Sequence, residues 1–171
     1  TCENLGTVTN NLSSGAAPGD QQKAPASLIE GLNTEFMPAP GEQLLRLRAT
    51  AVSKGMLIAL VGYDVRNRFE TLVDMRDFSA RVSLKEMKEG KKHAIQSALF
   101  DSADQQVKYL TTDLNKPQAP PRANAKPLPR QDGMLSLLSA FYFVRLQKLK
   151  EGQMLTFPVS TDEENYQFEI L

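Results

Sequence analysis

Between residues 134 and 146, Met134, Leu137, Leu138, Phe141, Val144 and Arg145 recur at helical spacing, and Leu135, Tyr142 and Leu146 widen the apolar arc. A helix lying on one flat surface needs only a stripe, so an arc this broad calls for chain curling around it. Asp132 stands where an N-cap belongs, which places the helix at about 133–147. The rest of the chain from Glu42 onward carries a period of two. Leu45, Leu47, Ala49 and Ala51 alternate with Arg46, Arg48 and Thr50, as a strand with one buried face requires. Arg66–Val73, Asp77–Glu86, His93–Phe100, Gln105–Thr112, Met154–Val159 and Tyr166–Ile170 read as further strands, with Phe78, Ala80, Val82 and Leu84 on one face of the second. Turns fall at Lys88–Lys91, Asp101–Asp104 and Thr161–Asn165. The expected fold is mainly β (α+β): an antiparallel meander curling into an open or partly closed barrel around one buried helix.

The division of the chain follows from composition. Residues 1–40 hold little apolar material and contain Pro18, Pro25, Pro38 and Pro40, so they read as a low-complexity arm or tether. Within it, Ala26–Leu32 offers Leu28, Ile29 and Leu32 as a short amphipathic turn able to dock on the domain or on a partner. Residues 41–171 form the single β domain. Met56–Tyr63 is an apolar run too short to classify; a helical turn leading into a strand is the favoured reading. Between Asn115 and Arg130, five prolines make a stiff crossover expected to stay out of any ladder and to run along the surface.

Charge removes several functions. With 20 basic and 20 acidic residues, the chain generates no long-range field to draw in nucleic acid or an anionic membrane surface. No apolar run approaches the roughly 20 residues that span a bilayer. Cys2 is the only cysteine, which excludes an internal disulfide and any cysteine-based metal site. A cysteine followed by a long polar stretch matches a lipid-anchored envelope protein after removal of its signal peptide, and an exposed cysteine without a role fits equally; Thr1 ahead of it counts against lipidation.

Catalytic chemistry finds little to work with. The only histidine, His93, lies in an expected strand beside Lys91 and Lys92, and no G-x-S-x-G elbow accompanies it. Ser136 and Ser139 fall inside the expected helix, where a serine usually bonds back to the preceding turn. Both phosphate-cradling glycine motifs are absent, and no cofactor is expected. A metal site would have to be all carboxylate, and Asp162-Glu163-Glu164 reads better as a solvated hairpin tip than as a calcium trap. Arg66, Arg68 and Arg145 have Asp64, Glu70, Asp74 and Asp132 as possible partners, either as structural ion pairs or, for an arginine beside the helix, as an anion ligand. The aromatic residues are expected to fill the core. If the sheet stays open, Tyr63, Phe69, Phe141, Tyr142 and Arg145 would line a pocket for an acyl chain or another apolar ligand.

Two stretches carry a resemblance. Tyr63-Asp64-Val65-Arg66-Asn67-Arg68-Phe69-Glu70-Thr71-Leu72-Val73-Asp74 and Leu138-Ser139-Ala140-Phe141-Tyr142-Phe143-Val144-Arg145, with Phe100-Asp101 between them and Gly152 after, resemble the bacterial family catalogued as domain of unknown function 3108. The resemblance covers roughly Gly41 to Leu171. It implies an exported, often lipid-anchored envelope protein, periplasmic or held at the outer membrane, with an antiparallel β fold curling round a helix. It brings no known reaction. At the level of architecture it is similar to the lipoprotein carriers of the bacterial periplasm, a weak warrant for function.

Three functions stay open. The first is a non-catalytic envelope module that binds partner proteins, with the arm as tether. The second is a carrier or sensor for a lipid or other apolar ligand. The third, an envelope glycan hydrolase acting through two carboxylates across a cleft, has the least in the sequence to support it.

Overall fold

The computed structural model describes residues 43–53 and 65–171. The arm with Cys2, the turn at Ala26–Leu32 and the run Met56–Tyr63 lie outside the described residues. Strands make up 57% of what is described, in sheets that do not close into a barrel. The expected mainly-β class with an open half-barrel and one helix is what forms among the described residues.

Five long strands run as an antiparallel meander: β1 Leu44–Val52, β2 Val65–Asp74, β3 Ala80–Glu89, β4 Lys92–Asp101 and β5 Gln106–Asp113. The crossover then adds two short pairings to β5, β6 Arg122–Ala123 and β7 Leu128–Pro129. The prolines were expected to keep this segment out of the ladder. It enters in two-residue pieces because non-proline residues carry the donors: Arg130 N–H donates to the Gln105 carbonyl at 2.9 Å.

A second, three-stranded sheet holds β8 Leu135–Ser136, β9 Leu155–Thr161 and β10 Glu164–Ile170. β9 and β10 form a hairpin whose turn, Asp162-Glu163, has φ of 51° and 66°, the primed geometry that matches strand twist. β8 joins β9 in parallel and runs directly into the helix, α1 Leu137–Leu146. The helix therefore starts later than the expected 133, and Ser136, not Asp132, is its cap. Leu135 and Ser136 obey the helical spacing, but their amides and carbonyls find β9 as a partner first.

Sheet register decides which side chains face the helix. Phe69, Thr71 and Val73 of β2 sit beside Leu47 and Ala49 of β1, Ser83 and Lys85 of β3, and Ala98 of β4. On this face Val73, Leu47 and Leu138 of α1 form one cluster, and Phe100, Val107, Tyr109 and Met134 another. A bulge between Leu72 and Val73 breaks the alternation expected for β3: Ala80 packs on the helix side while Val82 and Leu84 pack on the opposite one.

The helix is covered along one side. Leu138, Ser139 and Ala140 are buried, whereas Phe141 and Leu146 remain 65% and 66% exposed. Phe143 turns inward and stacks edge-on with Phe157 at 5.3 Å, joining Phe78 and Phe168 between the helix and the hairpin.

Candidate functional site

A buried constellation of hydroxyl groups lies where α1 begins. Ser136 adopts an extended backbone (φ −82°, ψ 165°) because it ends β8, and that geometry aims its hydroxyl at the first turn of the helix. The Ser139 N–H donates to Ser136 Oγ at 3.2 Å, and the Ser136 N–H donates to Ser139 Oγ at 2.8 Å, a reciprocal capping box. Ser139 Oγ also donates to the Ser136 carbonyl at 3.1 Å. From the facing sheet, Thr71 Oγ1 lies 3.1 Å from Ser136 Oγ and 3.2 Å from Ser83 Oγ. Tyr109 makes the equivalent link to the hairpin, its hydroxyl 2.9 Å from Ser160 Oγ. Burial pushes the Tyr109 phenol up to about 12.

Between these two links sits a recess of about 20 Å³, lined by Phe69, Ser83, Gln96, Tyr109, Leu137 and Leu138 and bordered by the Lys85–Asp162 ion pair at 2.8 Å. That is room for about one water molecule. Among the described residues no histidine or carboxylate is hydrogen-bonded to these hydroxyls. His93 sits on the opposite face of the sheet, where its Nε2 is 2.8 Å from Glu86 and Arg68 holds the other carboxylate oxygen. Burial works to raise the Glu86 carboxyl, and the bonds from His93 and Arg68 outweigh it, leaving the group below its ordinary value.

The residues expected to line a pocket divide. Phe69 and Tyr142 meet in the cluster with Leu47, Val73 and Leu138. Phe141 points to solvent and Arg145 is exposed in the last turn of α1, so neither joins them. Tyr63 and Cys2 lie outside the described residues. What the sequence reading passed over is the hydroxyl set on the sheet: Thr71 stands at an inward position between Phe69 and Val73, a polar residue in an apolar alternation and the available signal for a buried bond.

Ion pairs among the described residues tie strands and corners together. Arg68 pairs with Glu86, and Glu70 with Arg48 at 3.0 Å. Asp74, 1% exposed, receives Arg76 at 2.7 Å and Arg81 at 2.9 Å. The Arg76 guanidinium, aided by Arg81, holds the Asp74 carboxyl well below the usual carboxylate range. At the hairpin tip, Asp162 pairs with Lys85 and Glu163 with Arg122. Among the described residues no group of three histidine, cysteine or acidic side chains is arranged to hold a metal ion.

Comparison with known families matches residues 35–171 to the family described as "Protein of unknown function (DUF3108)". The chain belongs to this family. No curated protein and no solved structure matches it. The stretches that carried the DUF3108 resemblance can now be read physically. Arg68 and Glu70 tie strands together, Asp74 locks the β2–β3 corner, and Asp101 accepts the Ala103 and Asp104 amides to close its turn. Ser139 completes the cap of α1. In this DUF3108 chain, those signature positions build corners, caps and cross-strand pairs.

Proposed function

We propose that this DUF3108 chain is a non-catalytic module of the bacterial cell envelope, exported to the periplasm or anchored at the outer membrane through Cys2, that works by binding a partner protein. One observation carries the reading. Phe141, Leu146, Leu149 and Met154 lie within one short stretch of chain, α1 and the loop after it, and are 65%, 66%, 47% and 60% exposed. Large apolar side chains left exposed along one such stretch favour a partner surface over bulk water. Arg145, Lys148 and Lys150 are exposed among them and suit an acidic rim on the partner. The carrier reading has less support, since a site for a small molecule usually takes about 300 Å³ or more and the recess beside Phe69 offers about 20 Å³.

The test is site-specific photo-crosslinking in the producing cell, with the cross-linker at Phe141 and, as control, at the exposed Lys126. A discrete adduct at 141, lost on adding Leu146→Asp and Met154→Asp while the melting temperature holds, supports the reading. Equal adducts at both positions, or none at 141, would overturn it.

A further inference from the structure

Among the described residues β10 is an edge: β9 pairs with one side of it, and no strand pairs with the other. Its pairing with β9 runs without a shift from Glu164–Thr161 to Ile170–Leu155, and it holds no proline, lysine or arginine. Edge strands are commonly blunted by such residues or by a bulge. Here Glu164, Tyr166, Gln167 and Glu169 are exposed, Tyr166 at 42%. The hairpin turn decides which backbone groups face outward. A two-residue turn at Asp162-Glu163 makes Thr161 and Glu164 the first hydrogen-bonded pair, and such pairs alternate from there. The amides and carbonyls of Glu164, Tyr166, Phe168 and Ile170 therefore point to β9. Those of Asn165, Gln167 and Glu169 point away from it, and none of them bonds to the backbone of another described element.

We infer that this edge pairs, antiparallel, with β10 of a second copy of the chain about a two-fold axis at Gln167. Symmetry and charge choose the occupant and the register together. With the axis at Gln167, all of β10 is paired, and Asn165, Gln167 and Glu169 each exchange both of their backbone bonds with the facing strand. Moving the axis to Tyr166 shortens the ladder and sets Glu169 opposite Glu163 of the turn. Moving it to Phe168 sets the two Glu169 side chains diagonally across from one another, where like charges repel.

Side chains agree with that register. Tyr166 faces Phe168 of the other copy on both sides of the axis, Glu169 faces Asn165, and Glu164 faces Ile170, so no carboxylate meets another. The two Glu169 positions then lie about 14 Å apart and the two Glu164 positions about 20 Å, beyond the screening length of about 8 Å at physiological salt. A foreign strand would have to arrive with this pattern; a second copy carries it. One strand edge is a small interface, so the pairing is a concentration-dependent dimer rather than a permanent one. It is independent of what α1 binds.

Oxidation of the full chain carrying Cys2→Ser tests this. In Gln167→Cys the two thiols meet across the axis, where the Cα atoms of a hydrogen-bonded pair lie about 5.5 Å apart, inside the disulfide range. In Glu164→Cys the two positions are about 20 Å apart and serve as control. The expected result is roughly tenfold more covalent dimer for Gln167→Cys than for Glu164→Cys, as effective concentration dictates. Equal amounts, or no dimer from Gln167→Cys, would overturn the inference. Sedimentation gives a second readout. The chain with Cys2→Ser alone is expected to dimerise as its concentration rises towards roughly 1 mM, whereas adding Gln167→Pro, which removes an outward amide and no bond to β9, leaves it monomeric. A monomer throughout, or the same dimerisation with Gln167→Pro, counts against the paired edge.

Discussion

Thr71 and Ser136, 65 residues apart in sequence, hold their hydroxyls 3.1 Å from one another in a place water does not reach: they are 0% and 1% exposed. This bond joins the middle of the long meander to the start of α1. It therefore ties the capped start of the helix to the sheet.

Ser136→Ala removes the cap and the bond to Thr71 together, and is expected to cost about 2 kcal/mol, roughly half from each. Thr71→Val removes the same bond from the other side. Chemical denaturation of both single variants and the double variant checks the point: a coupling of about 0.5–1 kcal/mol is expected, and strict additivity would show that the two hydroxyls do not act on one another.

Asp74→Asn removes the buried carboxylate on which Arg76 and Arg81 converge, and is expected to cost about 3 kcal/mol at neutral pH. Its carboxyl titrates lower in the folded chain than in the unfolded one, so its stabilisation is complete above the ordinary aspartate value of 3.8 and fades as pH falls below it. Asp101, held down first by its bond from Lys108, and Glu86 add to the same acid sensitivity. Melting temperatures at pH 7 and pH 3 are expected to differ less for Asp74→Asn than for the parent chain; an equal drop would remove Asp74 from the acid response.

Phe143 and Phe141 are two positions apart and opposite in consequence. Phe143→Ala opens a hole among Phe78, Phe157 and Phe168 and is expected to cost about 2 kcal/mol, while Phe141→Ala is expected to stay within about 0.5 kcal/mol. Urea denaturation separates them. Comparable losses would mean that the exposed ring is held by something in the fold.

Tyr109→Phe leaves the ring in place and removes the hydroxyl that meets Ser160, at an expected cost of about 1 kcal/mol. In the parent chain the phenol titrates at about 12, above its unfolded value, so raising the pH through the ordinary tyrosine range of about 10 destabilises the folded state. The variant is expected to lose less stability between pH 9 and pH 11, which thermal unfolding measures.

The alternation of Leu45, Leu47 and Ala49, and of Phe69, Thr71 and Val73, was legible because a strand with one dry side needs a period of two whatever else the chain does. So was the helix, from the arc around Leu138 and Phe143. Three things were not legible. The bulge that sends Ala80 and Val82 to opposite faces depends on the corner closed by Asp74, a contact no local pattern encodes. The start of α1 depends on β9, which arrives later in sequence and takes Leu135 and Ser136 into a ladder. Which aromatic of Phe141, Tyr142 and Phe143 faces inward depends on where the hairpin lands. The sequence by itself determined the elements, since these follow from short-range spacing. Tertiary structure alone decided how those elements face one another, because a buried hydroxyl or ring chooses its partner among residues far away in the chain, and only the folded packing brings that partner within about 3 Å.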